Sequence, residues 1–322
     1  MIHTSKQLKD KVRNISKGDN DIANTLIRNF MMERFLERVS ISDYSNNFIL
    51  KGGMLVASIV GVDMRATMDI DTTVNALPLN ENDIQKIISE ICSIPVEDGV
   101  CFHIISSKSI MTDFEYPGVR LMLEAVLKPM RQIIKVDIST DDIITPEAIE
   151  FEYRLMFEDR TILLLSYNKE TLLAEKVQTI LARGTANTRI RDFYDVYSIM
   201  KMHAVDVDKE LFLKAFHATC KKRESLFTNK DIEEVLAQIE GNNGMTQMWE
   251  RYRKKNYFVG SLNWEYVLMD VLQMIRTYII NESANESLKY QTVQISEEQI
   301  HSGLTKDART ALEEQSKKYC LQ

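Results

Sequence analysis

The chain has 322 residues, a net charge of −7 at pH 7 and ordinary apolar and charged fractions, which predicts a soluble globular protein with room for two domains. The negative charge excludes a general nucleic-acid binder with a uniformly basic surface, so any RNA contact is expected at local basic clusters. A basic protein partner is equally compatible with this charge.

Hydropathy and cysteine spacing predict a cytoplasmic protein without a membrane partner. No run approaches the roughly 18 apolar residues of a membrane span, and the first residues lack the apolar core of a signal peptide. The four cysteines (Cys92, Cys101, Cys220 and Cys320) are scattered and form no Cys-x-x-Cys motif. We therefore expect free thiols in a reducing compartment.

The first elements are two helices, predicted over 4–16 and 20–39, with Asp19 or Asp21 capping the second. A short buried strand follows over 48–50, and Gly52-Gly53 interrupts it before a helical turn. A Gly-Gly pair between strand and helix lets the backbone approach a ligand, and the helix amides can then bind phosphate oxygens. A simple turn is the alternative.

Asp69-Ile70-Asp71 lies in a run with strand alternation. Alternate side chains of a strand share a face, so the two carboxylates are expected about 6–7 Å apart. They would repel unless a cation lies between them, and Mg²⁺ prefers such oxygen ligands and usually accompanies phosphate. The pair therefore predicts phosphoryl or nucleotidyl transfer, with a solvated strand face as the alternative. Two other Asp-x-Asp pairs occur in turn or helix-start contexts typical of N-caps.

Further strands are predicted over 100–106, 119–127, 133–139 and 161–165, with a helix over 80–92, which indicates a mixed α/β sheet of about five strands. Asp137 alternates with apolar residues in one of these strands and is costly to bury unless it is paired or bound to a cation. It is a candidate third carboxylate, or a hydrogen-bonded structural residue.

From about 168 to 280 the pattern is helical. The helix over 170–183 has a core stripe, with Lys176 on a neighbouring polar face. A basic loop leads to a helix that carries Asp192 and Asp195, where Arg191 and Asp195 have the spacing of an i,i+4 pair worth about 0.2–0.5 kcal/mol.

Two more basic clusters lie at 221–223 and 251–257, the second flanked by Trp249. Basic residues interleaved with aromatics can bind phosphates and stack on bases, although a solvated helix face gives the same pattern. Residues 281–300 resemble a linker and 304–319 a last polar helix. The predicted organisation is 1–167 (N-terminal helices and sheet core), 168–280 (helical domain) and 281–322 (linker and tail).

Four stretches together resemble the AbiEii/AbiGii-type nucleotidyltransferase toxins of type IV toxin–antitoxin and phage abortive-infection systems. They are ERFLER at 33–38 with FILKGG at 48–53, RATMDID at 65–71, KVDIS at 135–139, and TLLAEK at 171–176 with RDFYD at 191–195. The resemblance covers about 1–230 and is looser to 280. It implies an α/β nucleotidyltransferase-fold core with a helical C-terminal domain.

The resemblance also implies a function. Members studied as toxins bind or transfer nucleotides, some onto the 3′ end of tRNA, and a cognate antitoxin neutralises them. We therefore expect a Mg²⁺-dependent nucleotidyltransferase (EC 2.7.7-type) that adds nucleotides from a nucleoside triphosphate to RNA, first of all the tRNA acceptor end, and so blocks translation. A protein or small-molecule acceptor, or a non-catalytic nucleotide- or partner-binding module, are the alternatives. The residues do not select a nucleotide or an RNA species.

The candidate residues fall into three groups. The resemblance implies Asp69 and Asp71 as the metal pair, Lys176 as the triphosphate-binding lysine and Asp192 as an active-site acid, and Asp137 would complete a site for two Mg²⁺ ions. The nucleotide-binding candidates are Lys51, Gly52, Gly53, Arg65, Lys176 and Asp195. The RNA-binding candidates are Arg183, Arg189, Arg191, Arg251, Arg253 and Lys254.

Overall fold

A computed structural model describes residues 1–61, 65–78, 80–111 and 117–280. The predicted linker at 281–300 and helix at 304–319 lie outside these residues. The described α-helices are α1 Ser5–Ser16, α2 Asn20–Ser40, α3 Gly52–Val60, α4 Glu81–Ser93, α5 Lys169–Arg183, α6 Ile190–His203, α7 Lys209–Lys222, α8 Asn229–Glu240, α9 Asn243–Lys255 and α10 Trp264–Ile275. A π-helix, Arg276–Ile280, follows α10.

Local capping explains where several helices begin. Asp19 accepts hydrogen bonds from the backbone N–H groups of Asp21 and Ile22 at the start of α2. Asp208 accepts one from Leu211 at the start of α7. Both remaining Asp-x-Asp pairs therefore supply a helix cap, as their contexts indicate, because a short carboxylate satisfies amides that have no partner within the helix.

One mixed sheet organises the fold. Its strands in chain order are β1 Phe48–Lys51, β2 Asp69–Val74, β3 Cys101–Met111, β4 Pro117–Leu127, β5 Met130–Thr140, β6 Ile149–Arg154 and β7 Thr161–Ser166. The spatial order is β3-β4-β5-β2-β1-β7-β6. β2 and β5 are parallel, as are β1 and β7, and the other neighbours are antiparallel. The mixed α/β prediction is confirmed, with seven strands in the described residues instead of about five.

The two faces of the central strands differ. In β5, Ile134, Val136 and Ile138 are fully buried, as the alternation predicts, and helices α2 and α4 pack against this part of the sheet. The alternate residues Lys135 and Asp137 are only half-buried. The opposite face is therefore available for a site.

Residues Met1–Leu272 form one compact unit, and a second unit begins at Gln273. The boundary proposed between 167 and 168 lies inside the first unit and remains a prediction. None of the described helices is both long and apolar enough to cross a membrane. Cys92, Cys101 and Cys220 are free thiols, as expected, and burial raises the pKa of Cys92 and that of Cys220 to about 12.

Candidate active site

A cleft of about 330 Å³ collects most of the predicted site residues. The sheet contributes one wall and helices α5 and α6 the other. The predicted residues that line it are Lys51, Gly52, Gly53, Arg65, Asp69, Asp71, Asp137, Lys176, Arg189, Arg191, Asp192 and Asp195.

Strand register places the carboxylates. Asp71 of β2 lies opposite Asp137 of β5, and Asp69 lies opposite Lys135. Residues paired in this way point to the same face, so all three carboxylates share the cleft side of the sheet. Sequence alternation predicts the face of each strand separately, whereas the pairing of β2 with β5 brings the faces together.

Two cations that the sequence did not predict, Arg120 and Lys135, neutralise these carboxylates. Arg120 of β4 donates to both oxygens of Asp137, with Nε–Oδ1 and Nη2–Oδ2 distances of 2.7 and 2.8 Å. The ammonium of Lys135 lies 2.7 Å from Asp69 Oδ2 and 3.5 Å from Asp137 Oδ2. Asp137 is thus a paired residue, which was the alternative left open by the sequence. Arg120 could not be found from spacing because only the β4–β5 register places it there.

The donor set suits divalent cations. Carboxylate oxygens are preferred Mg²⁺ ligands. The side chains of Asp69 and Asp137 keep 25% and 17% of their exposure, so ions can reach them from the cleft. In the part of the chain that the structure describes, no three acidic, imidazole or thiol groups converge into a ready metal cluster. The residues fit the ion chemically once Lys135 has left Asp69 and Arg120 has freed an oxygen of Asp137.

The Gly-Gly turn brings backbone amides to the carboxylates. Gly52 has a φ of +63°, and a Cβ at this position would lie 2.7 Å from Cβ of Asp71. A side chain is therefore excluded by both the backbone conformation and the lack of space. Helix α3 begins at Gly52 without a side-chain cap, and the N–H of Gly53 points at Asp71 Oδ2 from 3.4 Å. Its first-turn amides can donate to a phosphate.

Lys51, the residue before this turn, forms an ion pair with Asp142. Burial alone would raise the pKa of Asp142, but Lys51 outweighs burial and lowers it. Asp142 also accepts a hydrogen bond from Ser139 at 2.8 Å. No sequence pattern indicates Asp142, because it lies in a loop after β5 and meets Lys51 only through the packing of β1 beside β2.

The helical wall carries a buried charge cluster. The Lys176 ammonium lies 2.6 Å from Asp195 Oδ2 and 3.4 Å from Asp192 Oδ1. Nε of Arg65 lies 2.7 Å from Asp195 Oδ1. Burial alone would raise the pKa of Asp195, but Arg65 and Lys176 lower it to about 2. The carboxylate of Asp195 therefore holds these two cations in place.

The sequence-based pair between Arg191 and Asp195 is wrong. Arg191 is exposed, whereas Asp195 is fully buried and taken by Arg65 and Lys176. Tertiary contacts thus replace the local i,i+4 contact. Asp192 differs from Asp195, because its buried Oδ2 has no hydrogen-bond partner among the described residues. One acceptor of Asp192 remains available in the cleft.

The RNA-binding candidates are divided in space. Arg189 and Arg191 line the cleft, whereas Arg183, Arg251, Arg253 and Lys254 are not among its lining residues. Arg253 pairs with Glu250 at 2.7 Å. Trp249 is fully buried and its indole N–H donates to the Leu262 carbonyl at 3.0 Å, so the idea that it stacks on bases is wrong.

A mixed sheet whose carboxylates face the ammonium of Lys176 across one cleft has the groups that a nucleotidyltransferase needs. A family model described as "Nucleotidyl transferase AbiEii toxin, Type IV TA system" matches residues 34–269. The chain belongs to this family, which confirms the resemblance drawn from the motifs. The family supports an enzyme of nucleotidyl transfer that is a toxin of a type IV toxin–antitoxin system.

Two similar solved structures are both low in identity. JHP933 from Helicobacter pylori is 16% identical with a TM-score of 0.46, and the match covers 83% of this chain and 97% of that chain. An antigenic nucleotidyltransferase-like protein from Paracoccidioides brasiliensis is 13% identical with a TM-score of 0.33, covering 73% of this chain and 94% of that chain. No curated protein matches the chain.

Proposed function

We propose that this toxin transfers nucleotides from a nucleoside triphosphate to the 3′ end of RNA, with the tRNA acceptor end as its target, and so blocks translation. The proposal includes a Mg²⁺-dependent reaction in the cytoplasm and neutralisation by a cognate antitoxin. The family supports nucleotidyl transfer and the type IV system. The acceptor, the metal and the antitoxin contact go beyond it.

One observation carries the proposal. Carboxylates from β2 and β5 and the ammonium of Lys176 from α5 line the same cleft, on opposite walls. A nucleoside triphosphate needs both kinds of group, because negative charge grows on the attacking and leaving oxygens while pyrophosphate departs. Asp69, Asp71 and Asp137 would hold divalent cations, which when bound supply that charge stabilisation.

Lys176 would bind the triphosphate tail. An ammonium has three N–H donors, and Asp195 and Asp192 occupy two of them at 2.6 and 3.4 Å. The third can donate to a phosphate oxygen, as suits a compact point charge. Burial alone would lower the pKa of Lys176, but Asp195 and Asp192 outweigh burial and raise it, so the cation persists without substrate.

The other cleft residues would position substrate. The α3 amides at Gly52 and Gly53 would receive phosphate oxygens, and the unpartnered Oδ2 of Asp192 would accept a hydrogen bond from the nucleotide. Arg191 is exposed and makes no ion pair within the described residues, so its guanidinium can bind a phosphate without losing a partner.

Radiolabelled nucleoside triphosphates incubated with purified protein and total tRNA would test the acceptor. We expect label in the RNA fraction, no labelling of tRNA whose terminal ribose has been oxidised with periodate, and loss of transfer with EDTA that added Mg²⁺ restores. Label in protein or in small molecules instead, with unlabelled RNA, would refute the RNA acceptor and favour the alternatives.

The antitoxin is tested separately. Expression of the chain alone is expected to arrest growth, and co-expression of the product of a neighbouring gene to relieve the arrest. An Asp71→Asn variant provides the control, because it should not arrest growth with or without that product.

A further inference from the structure

Strands β3, β4 and β5 extend the sheet away from the cleft, and one of their faces is exposed in the part of the chain that the structure describes. This open sheet face consists of Lys108 from β3, Arg120 and Met122 from β4, and Ile133 and Lys135 from β5, together with Ile105 at a bulge in β3. Lys108 lies opposite Arg120, Arg120 opposite Asp137, and Asp137 opposite Asp71. A single row of side chains therefore leads from the outer strand into the carboxylates.

Solvent reaches this face. The side chain of Arg120 is 42% exposed, and Ile105 and Ile133 are 55% and 41% exposed. The residues between them in the same strands, such as Leu121 and Val136, are fully buried on the other side. Ile105 and Ile133 thus add exposed apolar surface to a face that also carries cations.

The charges of the face suit a polyanion. Its cations are Lys108, Arg120 and Lys135. Arg120 and Lys135 pair with Asp137 and Asp69, the carboxylates at the inner end of the face, and the outer acid Glu124 pairs with Arg131 at 3.1 Å. Lys108 is exposed and makes no ion pair within residues 1–61, 65–78, 80–111 and 117–280. The contact between Arg120 and Asp137 is partly exposed, and such pairs exchange partners at little cost.

We propose that the single-stranded 3′ end of the acceptor RNA lies along the open sheet face, with its phosphates at Lys108 and Arg120 and its bases against Ile105 and Ile133. The inference rests on the proposed function and specifies where the acceptor binds. Lys108 and Asp71 are separated by three strand spacings, about 14 Å. A short strand that lies across them would deliver its terminal hydroxyl to the carboxylates.

Continuity with the carboxylates favours RNA over a protein partner. An antitoxin could bind anywhere that blocks the cleft, whereas an acceptor must follow a path that ends at the reacting phosphate. The open sheet face reaches the cleft through Arg120 and Lys135, which line it, whereas none of Arg251, Arg253 and Lys254 in the α9 cluster does. The open sheet face has cations and apolar side chains, and its row of side chains ends at the carboxylates.

The test compares single substitutions in the full chain. The probe is a short single-stranded RNA with a 5′ fluorophore and a free 3′ hydroxyl, and its dissociation constant is measured over a range of salt concentrations. Lys108→Ala should weaken binding roughly threefold to tenfold and reduce the slope of log K against log salt by about 0.7, the value for one phosphate contact. Ile133→Glu, which adds a negative charge to the face, should weaken binding at least as much.

Lys230→Ala is the matched control, because Lys230 is exposed on α8 and pairs only with Glu234 at 3.6 Å among the described residues. Lys230→Ala should change neither the dissociation constant for RNA nor its salt slope. Lys254→Ala tests the α9 cluster directly. The Lys108 variant should also raise KM for RNA while KM for nucleoside triphosphate and the melting temperature stay unchanged.

The possible failures are distinguishable. If wild-type protein labels RNA but Lys108→Ala and Ile133→Glu bind and label it normally, the proposed path is wrong and the proposed function stands. The path is equally wrong if only Lys254→Ala weakens RNA binding, or if Lys108→Ala weakens antitoxin binding and leaves RNA binding intact. If wild-type protein never labels RNA, the proposed function itself fails.

Discussion

Two regions of this molecule bury charged side chains, and they use them differently. The α2 charge network consists of Glu33, Arg34, Glu37, Arg38, Asp98, Glu158 and Arg160. The cleft has Asp69, Asp71, Asp137, Lys176, Asp192 and Asp195. Both contain acids and bases at short distances, and both include stretches that carry the family resemblance.

Access distinguishes the two regions. Arg38 donates to both oxygens of Asp98 at 2.7 and 3.0 Å, and both side chains are almost fully buried. In the cleft, the side chains of Asp69 and Asp137 remain partly exposed. Buried charges that protein partners occupy fix the structure, whereas charges that retain access to a cleft are available to a substrate.

The sharpest test of the cleft is Asp71→Asn, because it removes one charge beside Asp137 and keeps the shape. We expect nucleotidyl transfer to fall about a thousandfold, since cation-held charge stabilisation is worth several kcal/mol. The measurement is kcat/KM for RNA labelling. Asp19→Asn is the matched control from another Asp-x-Asp pair: asparagine still caps α2, so its rate should equal that of wild type. Equal rates for both variants would contradict the site.

Lys176→Met should impair both stability and transfer. It removes the cation that Asp192 contacts at 3.4 Å and one of the two cations that contact Asp195, and an uncompensated buried charge costs about 3–5 kcal/mol. Urea unfolding measures the first effect and labelling by the remaining folded protein the second. A variant that folds less stably but labels RNA normally would make this cluster purely structural, like the α2 charge network.

Arg38→Met should affect stability alone. It leaves the buried carboxylate of Asp98 unpaired, which is expected to lower the free energy of unfolding by about 3 kcal/mol. The folded fraction should retain wild-type kcat and KM, because neither residue lines the cleft. A change in KM for nucleotide would mean that the α2 charge network and the cleft are coupled.

The contribution of Glu33 to the free energy of unfolding should depend on pH. Burial raises the pKa of Glu33 to about 8 from an ordinary value of 4.5, although the Met156 N–H opposes the shift. Between these pH values the folded state keeps a proton that the unfolded state has released, so the stability from this group is complete below pH 4.5 and is lost as pH rises. The slope should be less than about 1.4 kcal/mol per pH unit.

Glu33→Gln checks this dependence in urea unfolding across the same pH range. The variant cannot titrate, so its curve should be flatter than that of wild type. Parallel curves would show that the carboxyl of Glu33 is charged in the folded protein.

Most helices and strands of the fold could be predicted from local sequence patterns. Helices α1, α2, α4 and α5 begin and end within about two residues of the predicted bounds. Strand β6 was missed although Ile149, Phe151 and Tyr153 alternate with charged residues, which is the pattern of a half-buried strand. The outer half of β3 was missed because its Ser106-Ser107-Lys108-Ser109 segment has the composition of a loop, although it pairs with β4.

The sequence predicted most residues of the candidate site but not how they are paired in space. Twelve of the predicted residues line the cleft, yet their ion pairs differ from those that local spacing suggests. Arg120, Lys135 and Asp142 were not predicted as partners, because each reaches its carboxylate or amine across strands or from a loop.

By itself the sequence determined which strands carry the acids and which face each acid occupies, because a strand alternates with a period of two wherever one side is buried. It also determined the Gly-Gly turn, since a positive φ beside a carboxylate excludes other residues. Only the tertiary structure decided that Asp71 lies beside Asp137 and that Lys176 binds Asp195 in place of Arg191. Strand register and helix docking depend on the burial of segments that are distant in sequence. A local sequence pattern does not contain this information.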